Sequence, residues 1–346
     1  MQSDSFALTF FAERDRISNR GKKYEDEFIK NGGRVGARGE HALCGCVSQA
    51  ESSSYTKEDY ALQMNVDFPS CDDLPDGNGK AAKVFLLLGQ SNASGCSIVE
   101  YLQLNTDEAT FAKYEAGFEN VKINYCIDNQ YVSSDGEFVP VDLTCGCGNG
   151  FFGPEVGMAE VLSEAFAEED VFILKYTMSG YSLGNHWLYD GERAWIYDAC
   201  MVFVETYMNA LTAKNYRASL DAICWMQGES DTNERCAAAY YDNQTKFIAY
   251  LREDLAAYAD GEIYFIDAGI SSSPYCLPGY PQVNQSKKEI AELSPYNVYF
   301  STIDMGLTTL YEPDYEPDLG HYDSLSEIAL GQKFGEALVA IYKKEN

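Results

Sequence analysis

Residues 83–92 read KVFLLLGQSN. The run from Lys83 to Leu88 is apolar after its first residue and does not alternate, which suits a strand covered on both faces. Gly89-Gln90 breaks the run. The small residues that follow, Ser91-Asn92-Ala93-Ser94-Gly95, open a helix. A serine at such a strand-to-helix turn exposes its hydroxyl above the sheet and aims its own N–H at an incoming oxyanion. A serine there is equally a common helix N-cap.

The same grammar recurs outward from this stretch. Apolar runs bounded by turn residues lie at 171–176 (VFILKY), 220–226 (LDAICWM), 262–267 (EIYFID) and 297–303 (NVYFSTI). Helix-like stretches at 154–168, 193–215, 234–260, 282–293 and 324–343 separate or follow them. Five strands alternating with helices predict an α/β fold with a five-stranded parallel sheet wound on both sides. The segment 97–150, with short strands at 120–127 and 137–143 and a glycine-rich CGCGNG, breaks the rhythm and reads as an insertion. Residues 1–80 read as an N-terminal extension or small cap, ending in the turn-like SCDDLPDGNGK of 70–80, and 81–346 as the main domain. Eight basic residues between Arg14 and Arg38 give the extension a solvated basic face.

The chain has 346 residues and a hydrophobic fraction of 46%, enough for a full-sized core. No run of eighteen apolar residues occurs, so no membrane-spanning helix is expected. The start, Met1-Gln2-Ser3-Asp4-Ser5, has no basic segment leading into an apolar one, so no secretory signal is read there. A net charge of −29 repels phosphate backbones and argues against nucleic acid as a partner. It places the protein in a salty or extracellular setting and sets no penalty on an uncharged substrate. Eleven cysteines, including the C-x-C pairs Cys44/Cys46 and Cys145/Cys147, admit disulfides in an oxidising compartment. They lack the spacing and the histidines of a zinc site, so no metal is expected.

In a doubly wound sheet, chemistry sits on loops leaving the C-terminal ends of strands. A serine nucleophile needs a base, and histidine is the commonest. Only His41, His186 and His321 exist. His41 lies in the extension, and His186, in GNHW, is placed to line a pocket. His321 closes Asp318-Leu319-Gly320-His321 after the last strand. A D-x-x-H loop lets a carboxylate approach imidazole Nδ1 while Nε2 faces a serine, although an aspartate capping a helix beside a surface histidine has the same spacing. After the strand at 220–226, Gln227-Gly228-Glu229-Ser230-Asp231 supplies an amide donor suited to an oxyanion. Its two carboxylates hold the loop or a histidine, and Asp231 reads as the loop holder.

GQSN at 89–92, WMQGESD at 225–231 and DLGH at 318–321 together resemble the SGNH (GDSL-like) hydrolase superfamily, and more narrowly its carbohydrate esterase family six and sialate O-acetylesterase branch. FGPEVG at 152–157 and the segment from Lys175 to Leu183 resemble two further blocks of that branch, so that the likeness spans about residues 83–343. The resemblance implies a flavodoxin-like three-layer sandwich, no cofactor, and release of acetyl groups from an oligo- or polysaccharide, as by an acetylxylan esterase or a sialate O-acetylesterase. It implies Ser91 as nucleophile, His321 as base and Asp318 as orienting acid. It implies an oxyanion hole made by the N–H groups of Ser91 and Gly153 and the side chain of Gln227. Gln90, Asn92 and Glu229 are candidates for a supporting role. The chain departs from the branch at Ser179 and Tyr181, where glycine and threonine are usual, which bears on the shape of the acyl or sugar pocket. A secreted or extracellular location fits such a substrate. The competing readings are a hydrolase of lipid or other short-acyl esters and a carbohydrate-binding protein on the same scaffold. The latter would lack one of Ser91, Asp318 and His321.

Overall fold

The computed structural model describes residues 67–309 and 318–344. All five expected strands are present: β1 (Ala81–Gly89), β3 (Asp170–Thr177), β4 (Arg217–Met226), β5 (Tyr264–Ala268) and β6 (Asn297–Phe300). A further parallel strand, β2 (Phe118–Ile127), joins them, giving the order β6-β5-β4-β1-β3-β2 with every neighbouring pair parallel. Two short strands, Val132–Ser133 and Val139–Val141, pair antiparallel with β2. The segment 97–150 is therefore only partly an insertion, and the sheet has more than five strands. Lys122 and Asn124 had broken up the apolar run of β2. Asn124 is buried and satisfies its amide on Gly136 O at 2.7 Å.

Helices cover both faces, as the absence of alternation in the strands requires. On one face Phe85 of β1 meets Tyr342 of α6 (Ser324–Lys344), which packs beside α2 (Glu155–Ala165). On the other face Tyr176 of β3 meets Phe203 of α3 (Trp195–Ala213), and Trp225 of β4 meets Phe247 of α4 (Glu234–Leu255). Helix α5 (Tyr280–Ala291) packs on α4 and β6. The protein is thus mixed α/β, with a mostly parallel sheet between helices.

Residues 67–80, expected to belong to the N-terminal extension, pack on this body. Phe68 stacks edge-on against Phe203, and Gly77 N–H donates to Lys214 O at 2.7 Å. The rest of that expected extension, with its basic stretch and His41, lies outside the described residues.

Beyond Gly89 the chain turns into α1, a single turn from Ser91 to Ser94. Gly89 has φ +152°, and a Cβ there would sit 2.0 Å from Met226 O, so only glycine lets β1 pass β4 this closely at the turn. Because β1 lies between β3 and β4, the loops after these three strands adjoin, and α1 stands at their meeting point.

Candidate active site

Ser91 is the first residue of α1, with 4% of its surface exposed. The next side chain, Asn92, fastens it to the C-terminal loop. Asn92 Oδ1 accepts from Tyr322 N–H at 3.1 Å, and its Nδ2 donates to Gly320 O at 3.3 Å and to Glu229 Oε1 at 2.5 Å. The two loop contacts flank His321 on both sides. His321 Nδ1 lies 2.6 Å from Asp318 Oδ2, and Gly320 N–H closes the loop on Asp318 Oδ1 at 2.9 Å. Partial burial would raise the Asp318 carboxyl, but the hydrogen bond and charge of His321 prevail and hold it below the usual carboxylate range. The structure therefore brings together the three segments that the sequence singled out, around residues 91, 229 and 321.

Glu229 is fully buried, and burial pushes its carboxyl upward against the Asn92 hydrogen bond. Its Oε1 serves Asn92, so the carboxylate on the imidazole is that of Asp318. Gln90 Oε1 accepts from Gly228 N–H at 3.4 Å and Ser230 N–H at 3.3 Å, joining the turn after β1 to the turn after β4. Asp231 holds its loop as expected: its carboxylate accepts from Leu183 N–H at 2.8 Å and from Gln227 Nε2 at 2.5 Å.

Two residues expected to line an oxyanion hole are otherwise engaged. Gln227 is completely buried, and its two amide hydrogens go to Asp231 and to Tyr181 O at 3.3 Å, while its oxygen accepts from Tyr240 at 3.0 Å. It ties the loop after β3 to the loop after β4. Gly153 N–H donates to Glu155 Oε1 at 2.9 Å. In both cases a buried carboxylate close by in sequence captures the donor, since a buried anion takes whatever N–H is within reach.

His186 lies in the short helical turn Leu183–Trp187 after β3. Its Nδ1 lies 3.0 Å from Ser182 Oγ, its ring packs edge-on against Tyr181, and burial pushes its pKa down to about 4. Tyr181 also packs edge-on against Trp195. Cys71, Cys126, Cys145, Cys147, Cys200, Cys224 and Cys236 stand outside any disulfide, and Cys44 and Cys46 lie outside the described residues. Among the described residues no three acidic, histidine or cysteine side chains are grouped as metal ligands would be. Sequence reading did not pair Lys175 with Glu155, whose carboxylate accepts from Lys175 Nζ at 2.7 Å. The signal was there, a lysine inside the apolar run VFILKY, which demands a buried counter-charge.

The sequence model of the family described as carbohydrate esterase, sialic acid-specific acetylesterase matches residues 81–340. Among curated proteins none matches the chain. Among solved structures, a protein of Arabidopsis thaliana is similar at 18% identity and a TM-score of 0.54, over 75% of this chain and 98% of its own. NanS is similar at 14% identity and a TM-score of 0.56, over 79% of this chain and 100% of its own. At these identities the likeness is one of fold.

Proposed function

We propose a serine mechanism for this chain, which belongs to the sialic acid-specific acetylesterase family of carbohydrate esterases. Membership makes it a carboxylic ester hydrolase that removes acetyl groups. In the proposed reaction Ser91 Oγ attacks the ester carbonyl carbon while His321 Nε2 takes its proton. Asp318 Oδ2 holds Nδ1 and stabilises the imidazolium. The oxyanion accepts from Ser91 N–H, the first amide of α1. The carbon–oxygen bond to the sugar breaks, and Nε2 returns the proton to the departing hydroxyl. Water then attacks the acetyl-serine with the same proton shuttle, and acetate leaves.

The observation that carries this reading is the Asp318–His321 pair, whose loop hangs on Asn92, the residue next to Ser91. Its test is Ser91→Ala. Acetate release from p-nitrophenyl acetate and acetylated sugars should fall by about 10⁴-fold or more, and covalent labelling by a fluorophosphonate should vanish. A variant turning over within tenfold of the native enzyme would end the serine assignment.

For the substrate we propose an uncharged O-acetylated sugar in preference to an anionic one. The net charge of −29 opposes the approach of a sialate carboxylate and leaves a neutral glycan unaffected. Added salt should then lower KM for O-acetyl sialic acid and leave KM for acetylated xylo-oligosaccharide unchanged. Equal salt responses would exclude this preference.

A further inference from the structure

Beneath α1 a lysine ammonium sits in a fully buried position, and no step of the reaction above uses it. Lys175, on β3, and Glu155, the first residue of α2, are both 0% exposed. Lys175 Nζ donates to Ser94 O at 2.9 Å, Cys145 O at 3.0 Å and Glu155 Oε2 at 2.7 Å. Glu155 Oε1 holds Gly153 N–H. Ser94 is the last residue of the turn that begins with Ser91, and residues 145–153 form the loop beside it.

The two segments are pressed together backbone to backbone. Cys147 N–H donates to Gly95 O at 2.9 Å, Ser97 pairs with Phe152, and a Cβ on Gly95 would lie 2.4 Å from Gly153 N. Two carbonyl oxygens and a carboxylate converge in this dry spot, and without a cation between them they would repel. We propose that Lys175 and Glu155 are positioning residues, which lock α1 against the 145–153 loop and so fix Ser91 Oγ and its N–H for attack. The proposal rests on the serine reading above.

The test compares Lys175→Met and the double variant Lys175→Met/Glu155→Gln with the native protein. Turnover is expressed per folded molecule from circular dichroism. The expected result is a fall in kcat of about 10²-fold, the size of loss that a misplacement of about 1 Å produces. KM should stay within threefold, and fluorophosphonate labelling of Ser91 should slow in parallel. A role in stability alone would lower the melting temperature and leave kcat per folded molecule intact. The double variant carries no unpaired buried charge, so it decides the matter if the single variant fails to fold. Trimethylamine N-oxide, which favours the compact state, keeps a folded fraction for the kcat measurement. Either variant folded with kcat within threefold of native overturns the proposal. If instead the native protein resists labelling and Ser91→Ala keeps its turnover, it is the serine reading that fails.

Discussion

Replacing Asn92 by alanine removes three hydrogen bonds at once, and each has a countable consequence. The bond to Glu229 Oε1, at 2.5 Å, is to a buried carboxyl whose other oxygen has no partner among the described residues. Hydrogen bonds to such groups contribute about 1.5–3 kcal/mol, and the two to Gly320 O and Tyr322 N–H about 1 kcal/mol each. The loss is roughly 4 kcal/mol, less whatever a water entering the vacated space restores. A domain with a stability on the order of 5–15 kcal/mol stays folded under that loss. The His321 loop, however, loses its tether to α1, which carries the proposed nucleophile, and a misplacement of about 1 Å costs about 10²-fold in rate. Urea unfolding and turnover of p-nitrophenyl acetate measure the two effects. KM should hardly move, because the tether touches the catalytic groups and not the sugar. Asn92→Asp is the sharper form. It sets a second carboxylate against Glu229, so its stability deficit at neutral pH should exceed that of the alanine variant and shrink on acidification. The reasoning is refuted if Asn92→Ala loses less than about 1 kcal/mol and keeps kcat within threefold.

Asp318→Asn should lower kcat by about 10²-fold or more, because the imidazole loses the partner that fixes its tautomer. Glu229→Gln should act chiefly on stability, and the reverse ranking in initial-rate assays would move the acid role to Glu229. Gly95→Ala should fold poorly or lose most activity. Gly95 has φ +88°, and the new Cβ would meet Gly153 backbone, as thermal unfolding and rate assays can check. Burial raises Asp231 from 3.8 to about 6 in the folded protein. The folded state therefore holds a proton that the unfolded chain releases above pH ~4. Stability from this group is complete below that pH and is lost as pH rises through about 6, a change of about 3 kcal/mol. Buried Asp267, likewise raised to about 6, adds to the same trend. Tm should be higher at pH 5 than at pH 7.5, and Asp231→Asn should flatten the difference. A Tm that climbs with pH over this range would contradict the assignment.

Much of the fold could be read from runs of residues, because a strand buried on both faces has little room for polar side chains. β1, β3, β4 and β5 announce themselves that way, and β6, a partly buried edge strand, by its short β-rich run. β2 reads as a short strand at 120–127, but Lys122 and Asn124 interrupt its apolar run, so it passes for part of an insertion and not of the parallel sheet. Asn124 is tolerated inside only because Gly136, brought back by the following hairpin, accepts its hydrogen bond. The site divides along the same line. Ser91 and the Asp318–His321 pair are local features, a strand-to-helix turn and a four-residue loop, so spacing alone suggests them. The family match over 81–340 then agrees with the resemblance drawn from those motifs. The partners of Gln227 and Gly153 were not legible. Whether an amide faces substrate or a carboxylate depends on rotamers and packing, and Asp231 and Glu155 are each placed to intercept it.

A helix of four residues has no stability of its own, because its nucleation cost is never recovered by propagation. The position of Ser91 is therefore set by what grips α1 from outside. Gln90 N–H on Met226 O, at 3.0 Å, fixes the approach from β1. Asn92 grips the middle and carries the His321 loop. Ser94 is gripped twice, through its carbonyl by Lys175 and through its hydroxyl by Thr177 Oγ1 at 2.9 Å. These grips come from the loop after the last strand and from residues on β3 and β4, so Ser91 is placed by the sheet as a whole. Ser91 and Ser94 belong to the same rigid turn, so an error at one end is carried to the other. On the proposed mechanism, a buried ammonium that touches no substrate then belongs to the design of the site as much as the imidazole does.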